Sequence, residues 1–155
     1  MIYARRALEK RLFDAFTGPF ITALVGPRRV GKSTLIDHFI QLSQGATTVC
    51  LNMDRMEERE KIKAGELEAI ILTTIKRPLK PGQRVWVTID EVQKCPEIFE
   101  QIKTLYDAYK DQDAIKFILT GSAFLEIHRL SAESLAGRIK LYQLAAFGLA
   151  EATDV

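Results

Sequence analysis

Gly26-Pro27-Arg28-Arg29-Val30-Gly31-Lys32-Ser33-Thr34 follows an apolar run, Phe20 to Val25, and leads into a segment with helical spacing. Glycines at these positions followed by Lys-Ser, between strand and helix, are the pattern of a phosphate-binding P-loop. Gly26 and Gly31 let the backbone curl so that successive N–H groups face phosphate oxygens, and the helix adds its positive amino-terminal end. The loop itself, Gly26, Pro27, Arg28, Arg29, Val30 and Gly31, is the expected cradle. Lys32 is expected over the β and γ phosphates, Ser33 offers a hydroxyl to Mg²⁺, and Thr34 reaches the α-phosphate.

A second chemical element lies at Val85-Trp86-Val87-Thr88-Ile89-Asp90-Glu91. A nearly uninterrupted apolar strand is one buried on both faces, and such strands present polar residues at their carboxyl ends, where ligands of α/β sheets bind. This is the form of a Walker B strand. Asp90 is the expected Mg²⁺ residue, and Glu91 is placed to orient and deprotonate an attacking water. A fourth strand, Ile115 to Leu119, ends in Thr120-Gly121-Ser122, where either hydroxyl is positioned to sense the γ-phosphate or the water.

The elements that position these residues follow from periodicity. Residues 4–16 read as an amphipathic helix with Leu8, Leu12, Phe13 and Phe16 on one face, stopped by Gly18-Pro19. A strand at 20–25, a helix from Lys32 to about Ser43 and a strand at 47–52 make one strand-helix-strand unit. One or two helices occupy 55–76. Pro96 is expected in the first turn of a helix with Ile98, Phe99, Ile102, Leu105 and Tyr106 on its apolar stripe. Gly137 is expected to stop the next helix, before a fifth strand from Ile139 to Leu144. Alternating strands and helices predict an α/β fold: a P-loop NTPase three-layer α/β/α sandwich around a mostly parallel five-stranded sheet.

With 155 residues, 47% of them hydrophobic, the chain suits one domain with its own core, residues 1–155. A net charge of +2 neither demands nor excludes nucleic acid. Cys50 and Cys95 lack the spacing of a zinc site or disulfide framework and read as reduced packing thiols. His38 and His128 stand without neighbouring ligands, so no metal site built by the protein alone is expected. No apolar run approaches the roughly 20 residues of a membrane span, and no signal peptide is recognisable. The expectation is a soluble cytoplasmic protein.

Together these blocks resemble the AAA-type ATPase domains of prokaryotic proteins that carry a Gly-Pro-Arg-x-Val-Gly-Lys-Ser/Thr-Thr loop. The likeness continues through Ile89-Asp90-Glu91-Val92-Gln93-Lys94, Leu119-Thr120-Gly121-Ser122 and Ser134-Leu135-Ala136-Gly137-Arg138, covering nearly the whole chain in order. It implies strand order 5-1-4-3-2, with Thr120 or Ser122 as the first sensor. It also implies that Arg138 is an arginine finger acting from a neighbouring subunit, hence a homo-oligomer, and that Arg28 and Arg29 can touch phosphate or a partner. Relatives continue into further carboxyl-terminal domains, so the expectation is an isolated or truncated core without a helical lid.

Mg²⁺-dependent binding and hydrolysis of ATP, coupled to a conformational or assembly change, is the expected function. A nucleotide-gated interaction module with little turnover, serving a protein or nucleic-acid partner, is the alternative. The acidic pair suits water activation better than a small-molecule kinase, and no Asn/Thr-Lys-x-Asp element supports guanine recognition.

Overall fold

The structure, a computed structural model, describes residues 2–145 and 148–154, with side chains over 9–145. Helix α1 (Ile2–Thr17) leads into β1 (Ile21–Val25), α2 (Lys32–Leu42) and β2 (Thr47–Asn52). Then come α3 (Met56–Lys63), α4 (Leu67–Ile75), β3 (Val85–Asp90), a 3-10 turn at Val92–Lys94, and α5 (Ile98–Tyr109). The chain closes through β4 (Ile115–Gly121), α6 (Phe124–Ser134), β5 (Ile139–Ala145) and β6 (Gly148–Asp154).

The sheet runs β2-β3-β4-β1-β5-β6. Its first five strands are parallel and reproduce the expected 5-1-4-3-2 order. A sixth strand adds to the expected five: β6 returns antiparallel along β5, with an irregularity between Tyr142 and Leu144.

Strand side chains alternate between two cores because successive residues of a strand point to opposite faces. Ile21, Ala23, Val25, Val87, Ile89, Phe117 and Leu119 join the larger core, together with Ile62, Ile71, Phe99, Ile102 and Ile127 from α3 to α6. Leu24, Trp86, Ile118 and Tyr142 point the other way, onto Leu12 and Phe16 of α1 and Ile36 and Phe39 of α2. Phe39 is the centre of this second core, with ring centroids 4.8 Å from Phe16 and 5.1 Å from both Phe13 and Trp86. The contacts with Phe16 and Trp86 are edge-to-face, a geometry that adds about 0.5–1.5 kcal/mol per pair beyond area burial. The side chain of Leu8, expected on the same helix face, lies outside the described residues.

At the amino-terminal end of the strands, the buried Lys116 ammonium donates hydrogen bonds to the carbonyls of Ala15, Gly18 and Phe20. It thereby ties the last turn of α1, through Ala15, to the Gly18–Phe20 connection that leads into β1.

Three local expectations shift. Helix α5 starts at Ile98, with Pro96 in the turn before it, where its carbonyl accepts from the Phe99 N–H. Gly137, at φ 75°, shapes the Leu135–Arg138 turn into β5, three residues after α6 has ended. Cys95 is buried as expected, but Cys50 is exposed. The reason is that β2 is an edge strand: Val49 and Leu51 face the core while Cys50 faces outward.

Burial, reinforced by the charge and hydrogen bond of Glu97, pushes the Cys95 thiol up to about 11. Only the thiolate attacks an alkylating agent. Iodoacetamide is therefore expected to label Cys50 in the folded chain and Cys95 only after unfolding, as read by peptide mass spectrometry. Equal labelling rates would contradict this packing.

Candidate nucleotide site

The P-loop leaves the carboxyl end of β1 and turns into α2 with Arg29 at φ 67° and Gly31 at φ 90°. Among the described residues, no backbone N–H from Arg28 to Thr34 donates to a backbone carbonyl. A run of free donors at a helix start is the physical requirement for an anion. The two loop glycines serve different needs. Gly31 has open space around it and is required for its left-handed backbone, whereas at Gly26 a Cβ would strike the carbonyl oxygen of Leu144. Gly26 also donates its N–H to Gly121 O at 3.1 Å, so this amide is committed to the sheet.

Lys32 is buried, and its ammonium donates to Gly26 O and Pro27 O, both at 2.8 Å. Desolvation lowers its pKa, opposed by the charges of Glu91 and Asp90 and joined by that of Arg28. At the end of β3, Asp90 accepts hydrogen bonds on Oδ1 from Thr120 at 2.7 Å and from Ser33 at 3.5 Å. These hard oxygens suit Mg²⁺, which binds through few protein ligands and completes its octahedron with water and phosphate oxygens.

Glu91 follows in the left-handed region, φ 52° and ψ 47°. Its Oε2 accepts from Ser122 at 2.9 Å and from Gln93 at 2.7 Å. The two sensor candidates thus separate: Thr120 meets Asp90 and Ser122 meets Glu91. Arg28 reaches from the loop tip to within 4.0 Å of Glu91 and 3.9 Å of Asp54.

One cleft of about 450 Å³ is lined by Arg28, Lys32, Ser33, Asp90, Glu91 and Thr120. Asn52, the last residue of β2, and Asp54, just beyond it, line it too and were not singled out from sequence. Asp54 pairs with Lys94, a contact that lowers its pKa. A second cavity, about 490 Å³, borders the loop at Gly31 and Thr34 and is walled by Val30, Leu35, His38 and Leu144.

Arg138 is not brought to this cleft. Its carbonyl accepts from Ile21 N–H at the start of β1, so it lies at the opposite end of the strand from the loop. Its guanidinium grips Asp107 at 2.8 and 2.9 Å, which lowers the Asp107 pKa.

A glycine loop at the end of the central strand, with two acids two strands away, defines a P-loop α/β protein of ATPase type. The AAA domain family profile matches residues 19–153, and the chain belongs to that family. It is 29% identical over 145 residues to an uncharacterized protein of Mycobacterium tuberculosis and, equally, to one of Mycobacterium bovis. Those alignments cover 94% of this chain but 29% of the relatives' length.

Solved structures similar in fold include C. elegans PCH-2, at TM-score 0.56 and 18% identity over 92% of this chain and 40% of that one. Thermotoga maritima RuvB R170A matches at TM-score 0.55 and 14% identity, over 87% and 44% of the two chains. Drosophila ORC bound to DNA matches at TM-score 0.56 and 12% identity, over 89% and 87%. Among the described residues, no helix is long and apolar enough to cross a membrane.

Proposed function

We propose that this chain binds ATP with Mg²⁺ and hydrolyses it. The observation that carries the reading is the convergence of Lys32, Ser33, Asp90, Glu91 and Thr120 on one cleft beside a run of unpaired backbone N–H groups. Arg28 to Thr34 bind the phosphates through those N–H groups, and Lys32 exchanges its carbonyl partners for phosphate oxygens. Ser33 and Asp90 would hold Mg²⁺, which would supply charge neutralisation to the phosphates. Thr120 fixes the Asp90 carboxylate. Glu91 orients the water and takes its proton, with Ser122 holding the carboxylate in place. The second cavity, contiguous with the loop, offers Val30, Leu35 and Leu144 to the faces of a purine base and Glu9 and His38 as polar groups beside it. In competition binding, ATP is expected to outbind GTP.

Arg138 acts, in this reading, on the site of a second copy. About 13 Å of strand separates it from its own loop, at ~3.3 Å per residue, so only a neighbour's phosphates are within its reach. Breaking the grip of Asp107 is part of that docking.

The decisive experiment measures Mg²⁺-dependent phosphate release over a range of protein concentrations, beside Lys32→Ala. Release is expected to vanish in Lys32→Ala, and the rate per chain to rise with concentration. Mixing Arg138→Ala with Lys32→Ala chains is expected to restore part of the rate; no recovery would defeat action in trans. Tight ATP binding without release would favour a nucleotide-gated module instead.

A further inference from the structure

Gln93 belongs to neither the phosphate cradle nor the metal residues, yet its amide is tied to the acid expected to do the chemistry. One N–H of Nε2 donates to Glu91 Oε2 at 2.7 Å and the other to Ser122 Oγ at 3.4 Å. The Ser122 hydroxyl in turn donates to the same Oε2 at 2.9 Å. Amide, hydroxyl and carboxylate form a closed ring on one oxygen. Among the described residues, the other oxygen of Glu91, Oε1, accepts no hydrogen bond.

The orientation of the amide is dictated by chemistry. A carboxylate only accepts, so turning the Gln93 amide over would press two acceptors together. The consequence falls on the other end of the side chain: Gln93 Oε1 is buried without a hydrogen-bond partner. It lies over Gly121, where any Cβ would collide with it. The position of this carbonyl follows from the commitment of the amide nitrogen to Glu91 and Ser122.

The turn itself does not need this side chain. Val92 and Cys95 are fully buried, and the N–H groups of Lys94 and Cys95 close the turn on the carbonyls of Glu91 and Val92. What does need holding is Glu91, whose left-handed backbone is uncommon for a residue with a long side chain.

We propose that Gln93 is a positioning residue for Glu91. Together with Ser122 it immobilises Oε2, leaving Oε1 as the oxygen that receives the proton of the attacking water. The water oxygen's lone pair forms the new bond to the γ-phosphorus as the bond to the ADP leaving oxygen breaks, and the proton goes to Glu91 Oε1. This inference rests on the hydrolytic reading above.

Gln93→Met keeps the length of the side chain, removes both donors and removes the orphaned carbonyl, so the fold is spared. In steady-state phosphate release, kcat is expected to fall on the order of 10- to 100-fold, the scale of a misplaced catalytic group. The KM for ATP is expected to stay within about twofold, since the loss is confined to the chemical step. Added to Glu91→Gln, the same substitution is expected to leave the residual rate unchanged, because Gln93 acts only through Glu91. An unaltered kcat in Gln93→Met would overturn the proposal, as would an equal further fall in the Glu91→Gln background.

If the parent chain shows no Glu91-dependent release, the hydrolytic reading is what has failed. The clamp is then read directly in the ligand-free protein from the Gln93 side-chain ¹H–¹⁵N resonances. They are expected to move on Glu91→Ala, and resonances that stay in place would overturn it.

Discussion

Glu91→Gln is expected to lower Mg²⁺-dependent phosphate release by about 100- to 10,000-fold while ATP remains bound, the range typical for loss of a general base. The amide keeps the size of the carboxylate but cannot accept the proton of the water. The phosphate-binding N–H groups, Lys32, and the Ser33–Asp90 pair are all untouched by the change. Removing a charge beside Lys32 and Arg28 also reduces repulsion of the incoming phosphates, so nucleotide affinity is expected to hold or rise. Binding is measured with a fluorescent ATP analogue and turnover by released phosphate. A variant that turns over as fast as its parent would remove Glu91 from the chemistry.

Gly26→Ala is expected to be damaging before any nucleotide is present. The added methyl group would fall on the Leu144 carbonyl oxygen and come within 3.1 Å of its carbon. Backbone meets backbone there, so no rotamer relieves it, and β5 must move away from β1. Overpacking of this kind costs about 1–3 kcal/mol or more. The methyl would also strain the Gly26 N–H bond to Gly121 that ties the loop to β4. A lowered midpoint in urea with no nucleotide added is the expected result. Gly31→Ala fails differently, since its surroundings are open and the cost is the φ of 90°. If Gly26→Ala unfolds at the parent's midpoint and only nucleotide binding suffers, the packing argument is wrong.

This pair of glycines illustrates what was legible in the sequence. Their spacing announces the loop, because phosphate binding demands a contiguous run of backbone donors. The reason for Gly26, however, is a strand more than a hundred residues away, which no local pattern reveals. Strands β1 to β5 were readable from short apolar runs ending in polar residues, and the parallel order came from the resemblance of the motifs. Strand β6 was not readable. Gly148-Leu149-Ala150-Glu151-Ala152-Thr153-Asp154 has little strand propensity, and its extended form comes from the ladder with β5.

Asn52 and Asp54 were missed for a related reason, although a signal existed. Once β2 is placed beside β3 in the predicted order, the residues at and just beyond its end must flank Asp90. The separate attachments of Thr120 and Ser122 depended on a tight turn that puts Glu91 in a left-handed conformation, and periodicity carries no information about such a turn. Cys50 reads as a packing thiol from sequence because nothing local marks β2 as the edge strand, on whose outward face it lies.

The position of β1 also bears on how the chain comes together in time. It is the first strand in sequence, yet both of its neighbours are late: Thr22 pairs with Ile118 and Ile21 with Ile139. Pairings between residues so distant in sequence carry a high loop-closure cost and slow folding. During synthesis, β1 and the phosphate loop attached to it must wait without strand partners until β4 and β5 have emerged. The apolar run Ile21–Val25, buried on both faces in the finished sheet, is then an exposed and adhesive segment of the nascent chain, and a natural client for a chaperone.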